Sequence, residues 1–214
     1  MTTDDQTSSL SQSQHLGLAR RKGGTMEQFG YWVFKNRSLV PLPWLTYLWW
    51  IGPGQQTGNA LLVFTLVVVG ESLRLWGVGC GGGRTRTRAK EVEKLMTTGP
   101  YRYLRNPLYV GNFLLYGSLP IYYARPYVLC FVMLYTAAEY SLIVFFEEHV
   151  LEQTFGKEYA LYRSKVWRWL PLGTYRQALN EDARWEWKIA LRSERSSLLA
   201  LGLVACLSVL RARL

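Results

Sequence analysis

The chain of 214 residues has little histidine (two), little cysteine (three), and 15 Asp and Glu against 25 Lys and Arg. Each scarcity excludes something. His15 and His149 are too few for the histidine clusters that hold di-metal centres in membrane oxygenases and desaturases. A metal site built from Glu148, His149 and Glu152 has too few ligands in view, so no metal is expected. Cys80, Cys130 and Cys206 show no metal-ligand spacing, and an odd number cannot be fully paired. Two of them lie within or beside apolar runs, so they read as buried small hydrophobes. Residues 1–25 lack the apolar core of a signal peptide and are rich in Thr, Ser, Gln and Gly, which fits a disordered cytoplasmic tail ahead of a single domain over residues 26–214.

What is abundant is apolar. Runs at residues 60–70, 113–123 and 127–146 are rich in Leu, Val, Phe and Tyr and nearly free of charge, as a membrane span of roughly 20 residues must be. Nine Trp and fourteen Tyr fit an aromatic belt at headgroup level. The formal charge of +10 raises nucleic-acid binding, but its distribution argues for a membrane surface. Between residues 84 and 105 seven basic side chains face Glu91 and Glu93, and this segment lies between two apolar runs. That is a juxtamembrane loop, cytoplasmic by the positive-inside rule.

Five spans follow: residues 40–51, 57–78, 108–123, 127–146, and a short last run at 196–210 that either crosses or lies at the interface. In the second span Glu71 and Arg74 are three apart and share a helix face, which predicts an intramembrane ion pair. The glycines of GVGCGGG lack the strand before and helix after that a nucleotide loop needs, so they read as a flexible exit. The third and fourth spans are joined by only Ala124, Arg125 and Pro126, a tight helical hairpin flanked at both ends by basic segments. The fold class is therefore all-α and polytopic.

Two stretches are too densely punctuated for an anchor. GPYRYLRNPLYVG, residues 99–111, precedes the hairpin, and EEHVLEQTFGKEYALYRSKVWRWLP, residues 147–171, follows it. The order GPY, R-x-P-x-Y-x-G, a hairpin, EE-x-x-L, FG-x-x-Y-x-x-Y and a terminal Pro resembles the isoprenylcysteine carboxyl methyltransferase and phospholipid methyltransferase superfamily of integral membrane enzymes. The resemblance covers residues 99–171, about a third of the chain.

It implies a cytosol-facing pocket for S-adenosylmethionine and a lipophilic acceptor, prenylated or otherwise, that enters from the bilayer. The cofactor's carboxylate calls for Arg, its ammonium for Glu, its sulfonium for a carboxylate or aromatic face, and its adenine for apolar walls. Arg102, Arg105, Glu147, Glu148, Tyr109 and Tyr159 supply those types. By similarity the pocket falls to Tyr101, Arg105, Asn106, Pro107, Tyr109, Gly111, Glu147, Glu148 and Tyr159, and the chemistry to Glu148, with Arg163 or Arg168 orienting a carboxylate acceptor. Many members carry His where this chain has Asn106, so that position is given a hydrogen-bonding role and not a basic one. A second enzyme class, the nicotinamide-dependent membrane sterol reductases, shares a related hairpin, and a non-catalytic membrane scaffold or lipid-binding protein is the third alternative. The sequence leaves the acceptor and the oligomeric state open.

Overall fold

The computed structural model describes residues 32–33, 35–36, 39, 41–52, 59–80, 95–175 and 185–213. The proposed tail and most of the basic loop up to residue 94 lie outside the described residues. Among the described residues the chain is all helical: α1 (Pro41–Ile51), α2 (Ala60–Cys80), a 3₁₀ turn (Gly99–Arg102), α3 (Pro107–Tyr122), α4 (Pro126–Phe155), α5 (Lys157–Lys165) and α6 (Trp187–Arg213).

Three of these, α2, α4 and α6, are long and apolar enough to cross a membrane. With 11 and 16 residues, α1 and α3 fall short of the roughly 20 that a span takes. The last helix is where sequence reasoning erred most. The apolar run at 196–210 is the distal part of a 27-residue helix whose first turns carry Lys188, Arg192, Glu194 and Arg195. A hydropathy reading cuts a helix at its first cluster of charges, whereas here a buried partner on another helix accommodates one of them.

The α3–α4 hairpin forms as expected. Prolines stand at the first position of both helices, where no N–H is needed. The turn between them closes on Ala124, at φ 51°, with Ala124 N–H donating to Ile121 O at 3.0 Å and Arg125 N–H to Pro120 O at 3.0 Å. From this turn the Arg125 guanidinium reaches back to cap the end of α1, donating to Gly52 O at 3.2 Å and Ile51 O at 3.3 Å. A cation at a helix C-terminus satisfies orphan carbonyls and opposes the dipole. Arg211 near the end of α6 lies beside the same Gly52. At the opposite end Glu186 N–H donates to Gly79 O at 3.3 Å, so α6 begins beside the end of α2. The last helix thus runs the full height of the bundle, from the end of α2 to the hairpin turn.

Inside a bilayer, burial against another helix gains little over burial against lipid, so close packing and polar links have to hold helices together. Both devices occur where α2 crosses α3. Gly70 and Gly111 face each other so closely that a β-carbon on Gly70 would stand 2.9 Å from Gly111 O, and one on Gly111 would stand 2.7 Å from Gly70 O. Beside this crossing Arg74 pairs with Glu71 at 3.6 Å, the expected i,i+3 pair, and also bonds Asn112 on α3 and Glu194 on α6, with Ser197 at 3.0 Å. Glu194 is 1% exposed. Pairing makes a carboxylate tolerable at that depth, and through it α6 is fastened to the rest.

Packing between α3 and α4 centres on Tyr140, whose ring lies 4.7 Å from Tyr109 and 5.5 Å, edge-on, from Phe113. Trp44 of α1 closes the lower part of the hairpin against Tyr116, at 5.3 Å, with Val128 and Val132. The cysteines do not behave as buried hydrophobes: Cys130 and Cys206 are exposed and Cys80 half-buried. An apolar residue in a spanning helix can satisfy itself against lipid, so hydrophobicity there does not imply burial in protein.

Candidate functional site

The carboxylates Glu147 and Glu148 do not end α4, which runs two further turns to Phe155. The extra turns place the carboxylates inside a cup. Gly156, at φ 50°, breaks the helix, α5 turns back, and residues 166–175 return as a strap over the 3₁₀ turn. A parallel bridge joins Leu104 to Trp167, with Arg105 N–H donating to Trp167 O at 3.0 Å, and Tyr175 N–H donates to Arg102 O at 2.9 Å. The Tyr162 hydroxyl donates to Tyr101 O at 2.7 Å. The two motif stretches, some sixty residues apart in sequence, are thus tied by backbone as well as by side chains.

Glu148, 6% exposed, lies at the centre. Its Oε1 is 3.0 Å from Arg105 Nη1 and 3.1 Å from Arg168 Nε, and its Oε2 is 2.5 Å from Arg168 Nη2. Arg168 grips both oxygens with its fork, the strongest arrangement open to this pair. The Asn106 amide donates to Arg168 O at 3.3 Å, and the Tyr109 hydroxyl donates to Glu147 Oε1 at 2.9 Å. Tyr159 is buried beside this group. Its phenol is pushed up to about 12, chiefly by burial and then by the Glu148 charge, with Arg105 partly opposing. Burial also raises Tyr162, and it raises Tyr101 with help from Tyr162 and Glu147. All three are neutral donors at pH 7 and none serves as a phenolate base.

Of the nine pocket positions expected from sequence, Arg105, Asn106, Glu148 and Tyr159 gather about Arg168, Tyr109 pairs with the neighbouring Glu147, Tyr101 is tied to Tyr162 through its carbonyl, Pro107 starts α3, and Gly111 lies apart from them. Gly111 faces Gly70 and Arg74, so its missing side chain makes room for α2 and not for a ligand. Of the two arginines expected to orient an acceptor, Arg168 is in the cluster. Arg163 lies on the exposed side of α5 and pairs with Glu152 at 3.1 Å. His149 bonds Gln153 at 2.8 Å, so Glu148, His149 and Glu152 each have a separate partner. Sequence reasoning passed over Trp167 and Trp169, which a bare spacing pattern treats as filler, and Glu139, which it absorbed into an apolar run. Glu139 is buried in α4 with no hydrogen-bond partner for either oxygen among the described residues.

Next to the polar cluster is an apolar cavity of about 290 Å³ lined by Val110, Phe113, Ala137, Ser141 and Trp169. Ala137, Ser141 and Glu148 recur at helical spacing on one side of α4, and Trp169 follows Arg168 in the chain. The single hydroxyl in the lining is satisfied internally, Ser141 Oγ donating to Ala137 O at 2.6 Å. The cavity makes no polar demand on its occupant.

A family profile described as phospholipid methyltransferase matches residues 55–158, from α2 through the 3₁₀ turn and hairpin into α5. Protein-S-isoprenylcysteine O-methyltransferase B of Arabidopsis thaliana is 27% identical over 142 residues, which are 60% of this chain and 64% of the relative. Both matches support the integral membrane methyltransferase superfamily. The chain spans just under two thirds of the length of that curated relative. No solved structure matches. The methyltransferase profile takes in both Glu147 and Glu148 and stops short of Arg163, Arg168 and α6.

Proposed function

We propose that the protein transfers a methyl group from S-adenosylmethionine to a lipophilic acceptor held in the membrane. One observation carries this reading: a buried polar cluster around Glu148 lies next to an apolar cavity on the same side of α4. A hydrophilic cofactor and a lipid have to meet at such a boundary. A phospholipid methyltransferase profile and an isoprenylcysteine O-methyltransferase relative support methyl transfer and leave the acceptor between those two kinds.

The donor set fits the cofactor. In this reading Tyr101, Arg105, Asn106, Pro107, Tyr109, Glu147, Glu148 and Tyr159 form the cofactor pocket, a role supported by the links among Arg105, Asn106, Arg168 and Glu148 and by the Tyr109–Glu147 pair, with carboxylates for an ammonium and sulfonium and tyrosine faces for an adenine. S-adenosylmethionine supplies a methyl group on a leaving group that is already activated. The work left to the chain is to position the acceptor and exclude water. Arg105 and Arg168 fix the Glu148 carboxylate, Asn106 fixes the strap through Arg168 O, and Phe113 and Trp169 wall the apolar body of the acceptor. Proton removal from an amine or thiol acceptor falls to a carboxylate, since the buried tyrosines stay protonated.

In this reading residues 26–214 form one membrane domain. Helices α1 and α3, shorter than a full span, make up the five membrane-embedded segments only where the bilayer thins around them, and the cup faces the cytoplasm because both motif stretches adjoin basic segments. Titration calorimetry of the detergent-purified protein tests the cofactor. S-adenosylmethionine is expected to bind and a reduced nicotinamide cofactor is not. The reverse pattern would assign the fold to a reductase, and no heat with either would leave a lipid-binding protein.

A further inference from the structure

Helix α4 gives a ruler for depth. With the Arg125 turn at one edge of the hydrocarbon core, a rise of about 1.5 Å per residue carries α4 through a core of about 30 Å in roughly 20 residues, to the neighbourhood of Phe146. Glu147 and Glu148 stand just beyond that edge. On the same scale Ala137 and Ser141 lie about 16 and 22 Å from the turn, well inside the core. Trp169 lines one cavity with both of them and meets Phe113 of α3 edge-on at 6.2 Å. The strap that carries Trp169, residues 166–175, therefore lies down at the edge of the core and not above it in water.

Its outer side suits that level. Arg168 and Trp169 turn toward the site, whereas Trp167, Leu170 and Leu172 are 56, 55 and 64% exposed in a stretch that is neither helix nor strand. Irregular backbone is costly beside hydrocarbon unless the protein itself bonds its polar groups. Along the strap it does so. Val166 N–H donates to Tyr162 O at 3.1 Å, Trp167 O accepts from Arg105 N–H, Arg168 O accepts from the Asn106 amide, Leu172 N–H donates to Leu170 O at 2.9 Å, and Tyr175 N–H donates to Arg102 O at 2.9 Å. Pro171 has no N–H to place. Lys165, exposed at the end of α5 next to the strap, supplies a cation for headgroup phosphates.

We propose that Trp167, Leu170 and Leu172 seat the strap in the phospholipid leaflet, about 5–10 Å into the boundary of headgroups and acyl chains, so that lipid on one side and Glu148 on the other hold Arg168 in place. Only the crossing of α4 is needed for this, not the cofactor reading.

Fluorescence quenching reads the depth. Leu172→Cys, and Trp167→Cys as an independent position, carry a bimane label in full-length protein that also has Cys80→Ala, Cys130→Ala and Cys206→Ala, in nanodiscs of phosphatidylcholine and phosphatidylglycerol. The reference in water is a label at Gln153→Cys, exposed near the end of α4 at about 40 Å from the turn. Both strap labels are expected to lose most of their emission when the acyl chains are brominated and little to iodide in the buffer, and the Gln153 label to do the reverse. Iodide quenching in the strap equal to that at Gln153 would put the strap in water and overturn the proposal. Shielding from both quenchers would overturn it too, because protein would then cover this face. In unlabelled wild type, which removes any doubt about folding of the variants, a bilayer-confined diazirine is expected to tag residues 166–175, and no tag there would also overturn it.

Discussion

Replacing Gly111 with alanine separates packing from ligand binding at a residue that sequence similarity assigns to the pocket. The new methyl would stand 2.6 Å from Arg74 Cγ and 2.7 Å from Gly70 O. A carbonyl in the middle of α2 cannot swing aside, and the Arg74 stem is held by the bonds of its guanidinium to Asn112 and Glu194. The helices must therefore move apart, at an overpacking cost of about 1–3 kcal/mol and toward the upper end. Gly117, on the same helix, is the control, since a β-carbon there would come no closer than 3.4 Å to any atom, meeting Met133 Cε at that distance and Leu129 Cδ1 at 3.6 Å, both ends of flexible side chains. Both substitutions gain up to about 1 kcal/mol of helix propensity. The net expectation is that Gly117→Ala is neutral to slightly stabilising and Gly111→Ala is destabilising. A separation of about 2–3 kcal/mol corresponds to roughly 4–12 °C in Tm for a chain of this size. Thermal unfolding of both variants in the same detergent measures it, with cofactor affinity taken well below either transition. Equal stabilities would refute the packing account, and a Gly111→Ala protein that is stable but cannot bind cofactor would return the residue to the pocket.

Arg168→Ala should weaken cofactor binding and activity by at least tenfold, because it strips the two-pronged partner from a buried carboxylate. Arg163→Ala, which removes an ion pair about 45% exposed, should change neither by more than about twofold; parallel calorimetry and methyl-transfer assays check the contrast. Glu139→Leu should raise thermal stability by about 1–3 kcal/mol, since it removes from a spanning helix a carboxylate with no hydrogen-bond partner among the described residues, and a lower Tm would mean that Glu139 has a partner it needs. The raised Tyr159 phenol favours the protonated fold. Its contribution is complete below pH 10 and is lost as pH rises toward about 12, so wild type should lose stability over that window and Tyr159→Phe should lose less, as followed by unfolding at stepped pH.

Features written locally were legible in the sequence. The hairpin could be read from Pro107, Pro126 and a three-residue turn, the Glu71–Arg74 pair from helix spacing, and the polar cup from two punctuated stretches at the hairpin's ends. Features that depend on distant partners were not. Glu194 meets Arg74 across 120 residues, so nothing local reveals that this one charge at the start of α6 is buried or that the helix extends far beyond its apolar run. Gly111 follows the motif in spacing but serves the α2 crossing, because a small residue leaves the same trace for either purpose. Likewise Arg105, Arg163 and Arg168 look alike as letters. Only the geometry shows that two are directed at Glu148 and that Arg163 is not.

The central claim is methyl transfer at the Glu148 cup, and the most direct measurement is incorporation of labelled methyl from S-adenosylmethionine into a total lipid extract by membranes carrying wild type or Glu148→Gln. The account predicts a labelled lipophilic product with wild type, and a loss of at least tenfold with the variant, because Arg105 and Arg168 would then face a neutral amide in place of the carboxylate they hold. Equal incorporation by both proteins, or none above membranes lacking the protein, would contradict it.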